Sequence, residues 1–89
     1  MLNHTIVLNT LIRHETLTIT DIEKEENLGL VPNKEQLQLL LDELTASDYV
    51  HILSGAEPCT YTITTKGINE GKRLQKEAEN NNSYKEGNR

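Results

Sequence analysis

Between residues 3 and 14 the apolar positions Val7, Leu8, Leu11 and Ile12 recur at one-and-four spacing, which places them on one stripe of a helix. The segment Leu17-Thr18-Ile19-Thr20 alternates apolar and β-branched residues, so it reads as a short strand leading into a second helix. Thr18 with Asp21, and Thr20 with Glu23, have the spacing of capping boxes for that helix, which is expected to end near Asn27. Gly29 suits the left-handed residue that closes a helix, and Pro32 forces Val31 out of helical geometry. Asn33 and Gln36 then form a cap, and Leu37, Leu40, Leu41 and Leu44 line one face of a third helix running to about Ser47.

Past Asp48 the period changes to two. Tyr49, His51 and Leu53 alternate with Val50 and Ile52, and Tyr61 and Ile63 alternate with Thr60, Thr62 and Thr64. The intervening Ser54-Gly55-Ala56-Glu57-Pro58 is rich in turn formers and short, so the two strands are expected to pair as an antiparallel hairpin. Thr64 or Thr65 can cap a last helix whose narrow buried side is marked by Ile68, Gly71, Leu74, Gln75 and Ala78. The pattern therefore predicts one domain over residues 1–77. Residues 78–89 offer nothing to bury and are expected to form a polar, disordered tail.

Composition narrows this picture. With 89 residues and neither Trp nor Phe, the core has to come from Leu, Ile and Val with help from Tyr49 and Tyr61. The single cysteine, Cys59, cannot form an internal disulfide, which fits a reducing compartment. No apolar run approaches the roughly 20 residues that span a bilayer, and residues 1–12 lack the basic start of a signal peptide. A cytoplasmic protein with no membrane partner is the expectation.

Two stretches carry a family likeness: Leu40-Leu41-Asp42-Glu43-Leu44-Thr45-Ala46-Ser47-Asp48-Tyr49-Val50, and Tyr61-Thr62-Ile63-Thr64-Thr65-Lys66-Gly67. A leucine-rich helix end ahead of a first strand, and a second strand closing as Tyr-x-Ile-Thr-x-x-Gly, resemble the winged helix-turn-helix domain of MarR-like and PadR-like bacterial regulators. The resemblance covers residues of about 3 to 77. It implies an α+β, mostly α fold with a three-helix core, a two-stranded wing hairpin and a C-terminal helix. Asp48 stands where such families usually have Gly, at a helix end that often needs positive φ, and Asp tolerates that conformation better than most residues with a Cβ. Gly67 would allow close packing at the start of the last helix.

In such domains the third helix enters the DNA major groove by its N-terminal residues. Carried onto this chain, the resemblance nominates Asn33, Lys34 and Gln38 for base edges, and Thr18 and Thr20 for a phosphate. Lys66, with Lys72, Arg73 and Lys76 on the basic last helix, would add contacts to the DNA backbone. It also implies a transcriptional regulator acting as a homodimer, with the first helix, the last, or both forming the contact. Leu2, Leu8 and Leu39 are the apolar residues least clearly claimed by the core and are the candidates for that interface.

Charge supports a rival. The net charge is −5, and residues 15–57 hold ten acidic side chains against only Lys24 and Lys34. The hairpin tip has Glu57 and no Lys or Arg, and the third helix carries Glu35, Asp42 and Glu43. The alternative is thus a winged-helix interaction module that binds a protein through its acidic face and does not bind DNA. His4, His14, His51 and Cys59 lack the close paired spacing of a zinc site, and nothing near Cys59 supplies a catalytic base or an oxyanion site. No cofactor and no enzymatic activity are expected.

Overall fold

The computed structural model describes residues 2–87, with side chains through Ala78. Asn3 opens α1 (His4–His14) by accepting the Ile6 N–H, and α1 leads through β1 (Thr16–Thr18) into α2 (Ile19–Ile22). After α3 (Glu25–Leu28) comes α4 (Lys34–Ala46), the helix marked by the leucine stripe. Strands β2 (Val50–Ile52) and β3 (Thr60–Ile63) follow, and α5 (Thr65–Gly87) closes the chain.

The expected second helix is broken in two at Lys24, whose ψ of 134° is extended. Residues six apart on one continuous helix lie about 120° apart around its axis. The break turns Leu28 back, so that both Ile22 and Leu28 reach the core. Of the two caps expected here, Thr18 is used: its hydroxyl accepts the Asp21 N–H at 3.1 Å, while Thr20 is exposed within α2. Gly29 closes α3 at φ 86°, the left-handed role read for it in the sequence.

The sheet has three antiparallel strands in the order β1-β3-β2, one more than the expected hairpin. Leu17 and Ile52 both stand opposite Tyr61, and Val50 stands opposite Ile63, so one face of the sheet is apolar. That face supplies Tyr61 and Val50 to the core, where they join Val7, Leu8 and Leu11 of α1 and the α4 leucines. Leu37, Leu40, Leu41 and Leu44 are 0%, 7%, 0% and 3% exposed, so the stripe faces inward as its spacing requires.

Leu2 and Leu8 need correction as interface candidates. They are 5% and 0% exposed within the chain itself, whereas Leu39 is 56% exposed. Four residues of α1, Val7, Leu8, Thr10 and Leu11, are buried, because α1 is packed by α4, α5 and the sheet. The covered arc is wider than a single stripe.

The end of the last helix also differs from expectation. The α5 backbone continues past Ala78 to Gly87, since neither Gly nor Pro interrupts residues 72–86. Of the expected tail, residues 88 and 89 and the side chains beyond 78 lie outside the described residues.

Among the described residues two that are not glycine have positive φ, Glu15 at 68° and Asp48 at 66°. Asp48 takes the conformation its place in the sequence calls for. Glu15 combines φ 68° with ψ −52°, outside the left-handed helical well, and lacks the tolerance of a short polar side chain. Glu15→Gly is expected to stabilise the fold by about 0.5–1 kcal/mol and Asp48→Gly by less, read from thermal midpoints. Equal or reversed effects would show that the Glu15 backbone is not strained.

Candidate nucleic-acid interface

Asn33 starts α4 by accepting the Gln36 N–H on its side-chain oxygen at 3.0 Å. Because the leucines take the inner face, Asn33, Lys34, Glu35, Gln38 and Leu39 are left exposed on the first turns. Val31, 74% exposed just before Pro32, extends this outer surface. The sequence signal for it was Pro32, which holds Val31 out of the helix and away from the core.

The nominated polar groups are not all free. Lys34 reaches Glu23 at 3.9 Å, a loose pair on a side chain 79% exposed, which water largely screens. The Gln38 amide donates to Asp42 Oδ1 at 2.9 Å and to the Tyr61 hydroxyl at 3.2 Å. Gln38 therefore ties α4 to the sheet, a role its sequence position does not reveal. Asp21 also holds Lys24 at 3.2 Å, so both lysines of the acidic stretch have carboxylate partners.

Lys66 lies elsewhere. Its ammonium sits 5.4 Å from the centre of the Tyr49 ring, beyond the C-terminal end of α4. With 13 residues in α4, and about 1.5 Å of rise for each, roughly 20 Å of helix separates that end from Asn33. The structure brings Asn33, Lys34 and Gln38 together on one helix and joins them to the α2 end through Glu23, but it does not bring Lys66 to them.

Tyr61 is buried beside α4 and accepts from Gln38. Burial pushes its hydroxyl above the ordinary tyrosine range, hydrogen bonding from Gln38 opposes this, and the neighbouring Cys59 adds to it. A raised folded value means that the associated stability is present below about pH 10 and is lost as pH rises through the folded value. The thermal midpoint is expected to fall above about pH 10 in the native chain and to fall less in Tyr61→Phe. The same alkaline loss in both proteins would contradict this role.

Among the described residues no group of three or more His, Cys, Asp or Glu side chains could hold a metal ion, and His4 is bonded to Glu43. Among the described residues no helix is long and apolar enough to cross a membrane.

Four helices, α1 to α4, ahead of a β-hairpin, with α4 seated on the core and presenting polar first turns, form a winged helix-turn-helix fold. The fold is shared with a transcriptional regulator from Clostridium thermocellum, at a TM-score of 0.75 and 24% identity over 90% of this chain and 82% of that one. It is also similar to the oxidized form of MarR from E. coli, at a TM-score of 0.64 and 18% identity over 79% of this chain. The match covers 48% of the MarR chain, so this protein spans about half its length. No family model and no curated protein sequence matches the chain.

Proposed function

We propose that this protein is a small winged-helix transcriptional regulator that binds double-stranded DNA as a homodimer through the first turns of α4. One observation carries the reading: the buried Leu37, Leu40, Leu41 and Leu44 fix α4 so that Asn33, Lys34 and Gln38 stand outward at its start. Asn33 and Gln38 have the amide chemistry that reads adenine, Lys34 suits guanine or phosphate, and Thr18 and Thr20 at the α2 start suit a phosphate. Leu39 shares the outer side of α4 and would lie beside DNA, while Leu2 and Leu8 are enclosed. The dimer contact is accordingly assigned to α5, whose backbone runs on to Gly87.

The charge pattern favours a second reading. Both lysines near α4 are paired with carboxylates, and the hairpin loop presents Glu57 without a cation. In that reading the same fold binds a protein through its acidic face.

Fluorescence anisotropy with a mixed-sequence duplex at roughly 50 mM salt separates the two. The DNA reading predicts association that weakens as salt rises, and Lys34→Ala is expected to weaken it and lower the salt slope by about one. Absence of salt-sensitive binding would leave the protein-binding reading. Sedimentation at micromolar concentration should show twice the chain mass, and a clean monomer would remove the dimer.

A further inference from the structure

Leu37 is fully buried, and on an α-helix the residues two positions before and after it each turn about 160° away from it. Those residues are Glu35 and Leu39, both exposed, and they form the outermost line of the first turns of α4. Four positions apart, they are neighbours, with about 5–6 Å between Cβ atoms.

Neither side chain is engaged by the domain. Leu39 is 56% exposed, whereas Leu37, Leu40, Leu41 and Leu44 are at most 7% exposed. Of the three carboxylates on α4, Asp42 accepts from the Gln38 amide and Glu43 is bonded to His4. Among the described residues Glu35 has no hydrogen-bond or ion-pair partner, and the adjacent Lys34 reaches Glu23 instead.

A carboxylate accepts hydrogen bonds and donates none, so in the major groove it is repelled by phosphates and by acceptor atoms on the bases. Guanine presents the acceptors O6 and N7, thymine presents O4, and adenine sets N7 beside its amine. Cytosine presents its N4 amine with no acceptor next to it. Leu39 can form no polar bond, and the C5-methyl of thymine is the apolar group on these edges.

Resting on the reading that α4 is the helix used on DNA, we propose that Glu35 and Leu39 determine its sequence preference. Glu35 selects a cytosine through N4, and Leu39 selects a thymine through its methyl. The two bases stand one or two base steps apart, because the spacing of the side chains spans no more than about two rises of 3.4 Å. The carboxylate acts chiefly as a filter, lowering affinity for sequences that give it no donor.

The test selects binders from a pool of random duplexes with the native chain, Glu35→Gln and Leu39→Ala. The native chain should enrich a cytosine and a thymine at that separation, on either strand. Glu35→Gln should exchange the cytosine for adenine, with a change in preference of roughly fivefold or more, and Leu39→Ala should lose the thymine alone. On the native chain, deoxyuridine in place of the selected thymine should weaken binding roughly fourfold, the worth of one buried methyl, and the same exchange should leave Leu39→Ala unmoved. Variants that select the same bases as the native chain, selected sites without that pair, or indifference to the methyl would overturn the proposal while the DNA reading stands. No binding to any duplex would remove the DNA reading itself, and this proposal with it.

Discussion

Leu41→Ala is expected to lower the unfolding free energy by about 2–5 kcal/mol. Leu41 has no exposed surface and sits at the centre of the α4 stripe, against α1 and the sheet. Truncation removes the transfer energy of the lost methyl and methylene groups, and it leaves a cavity that the three remaining leucines of the stripe cannot close. A chain of 89 residues has a total stability on the order of 4–13 kcal/mol. The loss is therefore a large share of what keeps the protein folded. Leu39, two positions away on the same helix and 56% exposed, serves as the internal control. Its replacement by alanine should change stability by no more than about 0.5 kcal/mol. Urea midpoints with unchanged slopes measure both, and equal losses at the two positions would mean that α4 is not seated as described.

Gly67→Ala is expected to cost about 2–4 kcal/mol, although alanine is ordinarily the better helix former by up to about 1 kcal/mol. A Cβ on Gly67 would overlap the Tyr49 carbonyl oxygen and press on Ile63 Cδ1. The Tyr49 oxygen is backbone and cannot swing aside. It also accepts the Thr64 N–H at 3.1 Å and stands 3.0 Å from the Thr64 hydroxyl, which in turn accepts the Gly67 N–H. The corner that sets the angle between β3 and α5 would be forced apart, with the loss of hydrogen bonds worth about 0.5–1.5 kcal/mol each. Gly71→Ala makes the useful comparison. There a Cβ meets the end of the Ile12 side chain, which has rotamers to move to, so the cost should be smaller. A stabilised Gly67→Ala protein would show that the close approach of α5 to Tyr49 does not exist.

Features set by neighbours in the chain were legible in the sequence. The α4 stripe, the caps at Thr18, Asn33 and Thr64, the positive φ of Asp48 and the close approach at Gly67 all depend on residues within a few positions of one another or on one residue's own conformational range. Long-range events were not. The three residues of β1 carry too little alternation to announce that Leu17 pairs with Tyr61, 44 positions later. The division between α2 and α3 answers a core that needs both Ile22 and Leu28, and propensity holds no record of it. Leu8 lies on the α1 stripe read from the sequence, and it is fully buried because α4, α5 and the sheet all pack on that helix. Of the candidate site, the cluster at the start of α4 could be read from the helix period. The engagement of Gln38 by Tyr61 and the distance of Lys66 from Asn33 arise from how the sheet and α5 pack.

The proposed DNA-binding surface is the outward first turns of α4. Amide spectra of the full chain recorded while a short duplex is added at roughly 50 mM salt test it residue by residue. The largest shifts should fall on Asn33, Lys34 and Gln38, with Thr18 and Thr20 beside them, and should fade as salt is raised. Shifts that spare the start of α4, or spectra that do not change, would contradict it.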